Sequence, residues 1–263
     1  MRKVQRAGYA RSQIFNQLDE ATKIAQAELA SWPLDTPLPT HYSMQRIVTE
    51  QLSVIASDYS SKDDIDTIIK AVHTILATTV AGQRPKFFLR LPGYKRAKKR
   101  FLEIGNEVIA AHSPELREGK PKNLADALVA LHREDPDFLP YGDMLSPVLG
   151  PFIAGLDTAA STTSFILYAI LKYPGLVEQV TAEADFLFAD EGPTPNKMRE
   201  LDVIHRVAME AMRMWPIAPA LFRRTTQEFE FAGYKIPADH DVIIATTVPV
   251  SYTHLTLPTI LLV

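Results

Sequence analysis

The sequence of 263 residues contains no cysteine, and this absence excludes several classes of site. Without a thiol, the chain cannot form a disulfide, hold zinc or an iron–sulfur cluster through thiolates, or use a cysteine nucleophile. It also contains no nucleotide-binding glycine loop, no HExxH motif and no internal repeat. Its seven histidines do not pair at the spacing of metal ligands, so no metal site is expected within the chain.

An excess of charge of either sign is also missing. The chain has 28 Lys and Arg against 31 Asp and Glu, a net charge of −3, and 46% hydrophobic residues. This composition is typical of an ordinary globular protein with one sizeable core, and it excludes disorder and general nucleic-acid binding. One basic cluster has no interleaved aromatic platform, so we interpret it as a solvated helix face and expect no nucleic-acid partner. The cluster comprises Lys95, Arg96, Lys98, Lys99 and Arg100.

The two ends of the chain differ from its middle. The N-terminal string MRKVQRAGYARSQIF is basic but has no apolar run of seven or more residues, so it is not a signal peptide. The string from Val250 to Thr259 resembles one reading frame of an adaptor used in preparing DNA sequencing libraries. We therefore expect residues 250–263 to be a non-native tail, and residues 1–249 to be the native domain.

Helical periodicity dominates the first 145 residues. It predicts one or two amphipathic helices between Arg2 and Leu29, and a further helix that begins after Ser43, which would cap it. Asp63, Asp64 and Asp66 open the next helical run. Because carboxylates suit the positive end of a helix dipole, we predict that these aspartates cap that helix rather than bind a metal.

Strand patterns occur only near the C-terminus. Residues 176–190 predict one helix and residues 196–216 predict another, continuous helix. Alternating residues then predict strands at 229–231 and 234–236, joined by a two-residue turn, and a last strand at 241–248. The predicted fold class is mainly α, with a small β part near the C-terminus.

The stretch from Pro147 to Tyr173 is the longest apolar segment of the chain. Between Met144 and Leu171 its only formal charge is Asp157, so a helix here is apolar on nearly every face. Such a helix is buried, either in a protein core or in a bilayer. Several Ser and Thr residues at its centre favour the core, and we expect no membrane segment, with a spanning helix as the alternative.

The middle of this stretch combines small and reactive residues. Ala154 and Gly155 leave a gap in side-chain volume, and Asp157 and Thr158 follow at once. A buried carboxylate is costly unless it is paired, so its presence needs a reason. One interpretation is a notch that holds a small molecule beside a proton source. The other is a structural aspartate that pairs with a distant base.

A second constellation lies in the later helix. Glu210 and Arg213 are three residues apart and therefore share a helix face. The residues around them are apolar, which predicts an ion pair that is at least partly buried. A guanidinium in such a pair still has donors for the carbonyls of a neighbouring loop.

Three motifs in this order resemble the cytochrome P-450 family of heme-thiolate monooxygenases. They are AGLDTAAST in a long helix, EAMRMWP in a later helix, and PALFRRTTQEFEFAGYKIPA leading into strands. The resemblance covers most of residues 1–249. It implies a P-450-like helical bundle around a long central buried helix.

The resemblance also implies an activity. Members of the P-450 family insert one oxygen atom of dioxygen into an organic substrate, and here the substrate is expected to be small and mostly apolar. The implied cofactor is heme b, and the implied partners are O2, the substrate and an electron donor, either a ferredoxin or a reductase. We expect a cytoplasmic localisation.

The resemblance assigns roles to residues of the long helix. Ala154 and Gly155 would flank the dioxygen pocket over the heme face. Asp157 and Thr158 would relay protons to the distal oxygen atom, because cleavage of the O–O bond requires them there.

Other residues are implied to bind or support the heme from outside that helix. Arg223 matches the position of a propionate-binding arginine, with Arg224 as the nearby alternative, and Arg2 is the candidate for the other propionate. Glu210 and Arg213 would form a structural ion pair that holds the loop before the axial ligand.

Two departures from the family pattern stand out. Asp239 replaces a usual glycine, and aspartate tolerates a left-handed turn better than most residues. The loop that supplies the axial cysteine is missing altogether. Without the thiolate there is no electron push into the O–O bond, so we expect this incomplete chain to be inactive. A noncatalytic helical binding or scaffolding domain is the alternative.

Overall fold

The structure is a computed structural model that describes residues 15–190 and 192–245. Arg2 and the tail 250–263 lie outside the described residues, as does the end of the predicted strand 241–248. The chain divides into two compact units, each described here by itself. The first comprises Met1–Ala160 with Pro193–Pro195, and the second comprises Ser161–Gly192 with Asn196–Val263.

The regular elements in the described part of the first unit are all helical. Its helices are α1 (Leu18–Leu29), α2 (Thr40–Ser57), α3 (Ile65–Ile75), α4 (Pro92–Ala111), α5 (Leu124–Glu134) and the N-terminal part of α6 (Leu145–Lys172). Helix α3 continues into a π-helical turn, Leu76–Val80, and short 3-10 turns precede α4, α5 and α6. The predicted mainly α fold is confirmed.

Apolar stripes of four helices form the core of the first unit. Residues four apart on one helix face, such as Ile104 and Val108 of α4 or Leu124 and Leu128 of α5, are almost completely buried. Phe152 of α6 packs edge-on against Phe101 of α4, with ring centroids 6.0 Å apart. The amphipathic helices α3, α4 and α5 thus cover one face of α6.

Helix α6 is less buried than its composition predicts. Phe152, Leu156 and Ala160 are buried, but Ala154 and Thr158 are exposed on another face. By length and composition alone, Tyr141–Lys172 is long and apolar enough to cross a membrane. Its packed face belongs to the same core as the amphipathic helices, as expected of a core helix.

The predicted cap Ser43 is wrong, whereas the predicted aspartates do lie at the start of α3, with Asp64 at the N-cap position and Asp66 in the first turn. Helix α2 begins at Thr40, before Ser43, and the Ser43 hydroxyl instead donates to the carbonyl oxygen of Pro39 at 3.2 Å. Asp64 precedes α3 but makes no capping hydrogen bond. Its carboxylate accepts two hydrogen bonds from Arg100, each 2.8 Å long, because a bidentate charged donor binds a carboxylate more strongly than a backbone amide does.

The second unit contains three helices after α6. They are α7 (Leu176–Phe188), α8 (Pro195–Glu200) and α9 (Asp202–Met214). The prediction of one continuous helix over 196–216 is wrong, because Leu201 has an extended backbone and separates α8 from α9. Glu183 of α7 accepts hydrogen bonds from the amides of residues 202, 203 and 204, each 2.8 Å long. A side chain 19 residues earlier therefore satisfies the first amides of α9.

The strands of the second unit form two antiparallel pairs. Strand β1 (Ala220–Arg224) pairs with β4 (Asp241–Ala245), and β2 (Phe229–Phe231) pairs with β3 (Tyr234–Ile236). The predicted β2–β3 hairpin is confirmed, and the two residues of its turn, Ala232 and Gly233, have φ values of 51° and 81°. Two positive φ values are the signature of the turn that suits the twist of a hairpin. Strand β1 was not predicted.

Replacement of Glu183 by Gln should destabilise the chain. We expect a loss of about 1 kcal/mol, since the carboxylate caps the positive end of α9. Burial opposes ionisation of Glu183, but the three amides outweigh it and hold the pKa of this carboxyl below its usual value. Its stabilisation is therefore present above the unfolded-state pKa and is lost as the pH falls through the folded-state value.

Urea unfolding at several pH values measures this effect. The difference between the wild type and Glu183→Gln should be largest near pH 7 and should shrink in acid. Asp185→Asn, which removes an exposed charge from the same helix, is the control and should cause little change. Equal losses for both variants would contradict the capping role.

Candidate functional site

The four residues singled out on α6 lie on different faces of the helix. Ala154 and Thr158 are four residues apart, share one face and are exposed. Gly155 and Asp157 are partly buried and turn towards the other helices of the first unit. The AGLDT string thus places a small side chain and a hydroxyl on an open face, and a carboxylate on a covered one.

Gly155 serves close packing between α6 and α2. A Cβ atom at this position would lie 2.6 Å from Cδ1 of Leu52, a distance that real Cβ atoms essentially never show. Leu52 therefore fills the space that the missing side chain leaves. The expectation that Gly155 also flanks a dioxygen pocket stays a prediction.

The Asp157 carboxylate is held by side chains from α2 and α3. Its Oδ1 atom lies 2.9 Å from Nε2 of His73 and 3.0 Å from Nε2 of Gln45. Nε2 of His41 lies 3.6 Å from the same oxygen. The alternative expectation, that Asp157 pairs with a distant base, is therefore met by a histidine 84 residues earlier.

The Asp157 environment favours the ionised carboxylate. The hydrogen bond from His73 lowers the pKa of Asp157, burial opposes this, and the nearby His41 and Gln45 add to the lowering. The side chain is 39% exposed, so water reaches the group. Sequence reasoning missed all three partners, because no motif links them to α6. The only available signal was that a lone carboxylate on an apolar helix needs a partner.

An apolar cavity of about 310 Å³ lies beside α6 in the first unit. Ile153, next in sequence to Ala154, lines it together with side chains of α3 and α4. Ala71, Tyr94 and Phe101 are among these, and Lys98 adds one charged group. A cavity of this size and lining suits a small organic molecule.

Glu210 and Arg213 form the ion pair that their spacing predicts. Nε of Arg213 donates to Oε2 of Glu210 at 2.6 Å, and Nη2 of Arg213 donates to Oε1. The side chains are 21% and 26% exposed, which confirms partial burial. The hydrogen bond with Glu210 raises the pKa of the Arg213 guanidinium, against a smaller effect of burial.

Aromatic side chains surround the end of the Glu210–Arg213 helix. Trp215 stacks on Phe165 of α6 with centroids 5.5 Å apart, and meets Tyr168 edge-on at 5.4 Å. Trp215 also packs on a small apolar cluster that includes Ala169 and Val207. The pair is therefore anchored on a packed surface of the second unit.

Arg223 and Arg224 have different environments on β1. Nε of Arg224 lies 2.7 Å from Oδ1 of Asp239, which has the left-handed φ of 62° that the sequence predicts for this position. Arg223 is exposed and makes one contact to its own strand, a hydrogen bond of 2.8 Å to the Phe222 carbonyl oxygen. Successive residues of a strand point to opposite faces, so the two guanidinium groups lie on opposite sides of β1.

Among the residues that the structure describes, no cluster of three or more His, Asp or Glu side chains could hold a metal ion. The predicted sites on α6 lie in the first unit, whereas the ion pair and Arg223 lie in the second.

Comparison with known proteins decides the family. The cytochrome P450 family model matches residues 42–248, which include the central helix, the ion pair and the strands. The chain belongs to the cytochrome P450 family. Members of this family bind heme, so heme is the cofactor of the parent protein.

The relatives are similar over much of this chain but are longer. Cyclooctat-9-en-7-ol 5-monooxygenase of Streptomyces melanosporofaciens is 27% identical over 223 residues, which are 81% of this chain and 48% of that protein. A bifunctional cytochrome P450/NADPH–P450 reductase of Bacillus subtilis (strain 168) is 33% identical over 97 residues, 37% of this chain and 9% of that protein. The chain thus spans about half the length of relatives that it matches broadly.

Solved structures share the fold. The heme domain of cytochrome P450DA superposes with a TM-score of 0.75 at 23% identity, covering 95% of this chain and 56% of that one. A mutant of the same heme domain gives a TM-score of 0.78 at 21% identity, covering 98% and 58%. These likenesses confirm the P450-like fold around α6.

Replacement of Gly155 by Ala should destabilise the first unit. The new methyl group would displace the end of the Leu52 side chain. Overpacking costs about 1–3 kcal/mol and the gain in helix propensity offsets about 1 kcal/mol of it, so we expect a net loss of at most about 2 kcal/mol. Urea unfolding of Gly155→Ala, Leu52→Ala and the double variant measures the coupling. The double variant should be less destabilised than the sum of the single variants. Strict additivity would contradict the close contact.

Proposed function

We propose that the parent protein is a heme-dependent monooxygenase that uses O2 and a redox partner to hydroxylate a small, mostly apolar organic substrate. The observation that carries the proposal is the placement of small, hydroxyl and carboxylate side chains on two faces of α6, in a chain of the P450 family. Ala154 and Thr158 share an open face, while Asp157 beside them is held by polar partners on the covered face.

Each unit, taken by itself, contains residues whose chemistry fits a heme. Ala154 leaves a shallow surface on α6 on which a flat ring can lie, and Thr158 offers a hydroxyl one turn further along the same face. Arg223, exposed on β1, is free of side-chain ion pairs in the described residues and suits a propionate. When bound, the heme would supply the activation of dioxygen.

The residues of the chain would manage protons. The Thr158 hydroxyl both donates and accepts hydrogen bonds, so it can position a water on the open face of α6. Asp157 is adjacent in sequence and reaches water through its exposed fraction. An acid next to a positioned water can replace each proton that the water gives up.

The names of relatives support the class of substrate and partner. One relative is named as a monooxygenase of cyclooctat-9-en-7-ol, an organic alcohol, and another is named as a P450 joined to a P450 reductase. We therefore propose that the parent protein also acts on an organic substrate and receives electrons from a partner, either a ferredoxin or a reductase.

The 263-residue chain by itself should lack turnover. It contains no cysteine, and the thiolate that completes the cofactor site must therefore come from elsewhere in the parent protein. The Glu210–Arg213 pair remains assigned to the support of a loop near that ligand.

A carbon monoxide difference spectrum tests this proposal. The full-length gene product, reduced and loaded with heme, should show the thiolate-type band. The 263-residue chain, given heme under the same conditions, should not show it, because no thiol is present. A full-length product without heme or without that band would contradict the monooxygenase proposal, and the band in the short chain would contradict its inactivity.

The assignment of Arg223 is tested separately by heme retention. In the full-length protein, Arg223→Ala should increase the rate of heme transfer to apomyoglobin by about tenfold, since a charged hydrogen bond contributes about 1.5–3 kcal/mol. Arg224→Ala is the matched control on the same strand and should lose its contact with Asp239 while heme transfer stays unchanged. The reverse pattern would assign the propionate contact to Arg224.

A further inference from the structure

Three polar atoms form a closed triangle on the covered face of α6. Nε2 of His73, Nε2 of Gln45 and Oδ1 of Asp157 are separated by 2.8 Å, 2.9 Å and 3.0 Å. Each helix in this corner contributes one member, Gln45 from α2, His73 from α3 and Asp157 from α6. The amphipathic helices α2 and α3 thus contact α6 through polar side chains at the AGLDT residues of α6.

The distances fix the number of protons in the triangle. A separation of 2.9 Å between Nε2 of His73 and Oδ1 of Asp157 requires one proton between them, because two lone pairs repel at that distance. The Gln45 amide can donate to the Asp157 oxygen when His73 holds that proton. It can still donate to the same oxygen when Asp157 holds it, because a protonated carboxyl oxygen keeps acceptor capacity.

Both proton positions therefore leave the heavy atoms in place. With the proton on His73, Asp157 is a carboxylate that accepts from two donors. With the proton on Asp157, His73 becomes the acceptor and Gln45 again has a partner. A proton can move between the two residues over a single hydrogen bond without a change of rotamer.

The histidine side of the triangle is open to water. The His73 side chain is 36% exposed, and that of Asp157 is 39% exposed. His41 of α2 is 45% exposed, with its Nε2 atom 3.6 Å from the same carboxylate oxygen. Among the described residues, His41 from α2 and His73 from α3 are the titratable groups that face Asp157, while α6 contributes Asp157 itself.

We infer that His73 is a positioning residue that supplies protons from solvent to Asp157, while the Gln45 amide holds the carboxylate in place. The inference rests on the proposed function, in which Asp157 serves the face of α6 that carries Thr158. Protons would thus reach Asp157 from the side of α6 that faces α3, whereas Thr158 would use them on the open face.

The proposed step conserves protons and transfers no electrons. Water delivers a proton to Nδ1 of His73, and Nε2 passes its own proton to Oδ1 of Asp157. The imidazole is then neutral with its hydrogen on Nδ1, Nε2 accepts from the Asp157 hydroxyl, and Gln45 still donates to Oδ1 of Asp157. After Asp157 has given up its proton, Nδ1 returns its hydrogen to water and Nε2 is protonated again by exchange.

The electrostatics set the resting state of the pair. The hydrogen bond from His73 is the largest influence on Asp157 and lowers its pKa, so the resting carboxylate is ionised. A proton therefore passes to Asp157 only as Asp157 delivers one onward. Removal of the His73 donor should therefore raise the pKa of Asp157.

Carbon-13 NMR of the Asp157 side-chain carboxyl tests the coupling in the 263-residue chain. The pKa of Asp157 should rise in His73→Phe and rise less in His73→Gln, whose amide can still donate to the carboxylate. His205→Gln, which changes an exposed histidine on α9, is the control and should leave the Asp157 titration unchanged. An Asp157 titration that is the same in the wild type and both His73 variants would overturn the inference, and His73→Gln keeps the test usable if His73→Phe does not fold.

The pH dependence of turnover in the full-length protein separates proton supply from positioning. Asp157→Asn should lower turnover about a hundredfold, and His73→Gln about tenfold, with loss of the wild-type pH dependence in both. If His73→Gln keeps wild-type turnover and pH dependence while Asp157→Asn does not, proton supply by His73 is wrong. If Asp157→Asn itself has no effect, the proposed role of Asp157 fails instead.

Discussion

A single carboxylate on an otherwise uncharged helical segment is the constraint around which the first unit is organised. Asp157 would be costly to bury without partners, and α2 and α3 supply them through Gln45 and His73. The same helix buries Phe152 and Leu156 among apolar side chains on its neighbouring face. Helices α2 and α3 are therefore positioned both by apolar packing and by one polar contact of defined geometry.

The close approach of α2 to α6 depends on Gly155. With any larger residue at this position, Leu52 would have to move, and α2 also carries Gln45 and His41 towards Asp157. The glycine of the AGLDT string thus acts through packing, whereas Ala154 and Thr158 act through their exposure. One short string thus places a packing contact, a hydrogen-bonded carboxylate and an open surface on different sides of the helix.

Much of the fold follows from local patterns in the sequence. The length of α6, the β2–β3 hairpin and the left-handed backbone of Asp239 depend on residues close in the chain, and these could be predicted. The shared face of Glu210 and Arg213 likewise follows from helical spacing alone. Local geometry and periodicity carry such features without tertiary contacts.

Features that depend on distant residues could not be predicted. The break at Leu201 is stabilised by Glu183, and Asp64 is drawn to Arg100, 36 residues later, instead of capping its helix. The partners of Asp157 come from 84 and 112 residues earlier in the chain. In each case a side chain satisfies a polar group that local sequence would leave unpaired, and only the folded chain shows which one.

The most direct measurement of the central claim is a crystal structure of the full-length protein with heme bound. The account predicts that Ala154 and Thr158 face the heme plane, while Asp157 on the adjacent face keeps its contacts with His73 and Gln45. A structure in which Thr158 points away from the heme, or in which Asp157 is separated from His73 in every state, would contradict it.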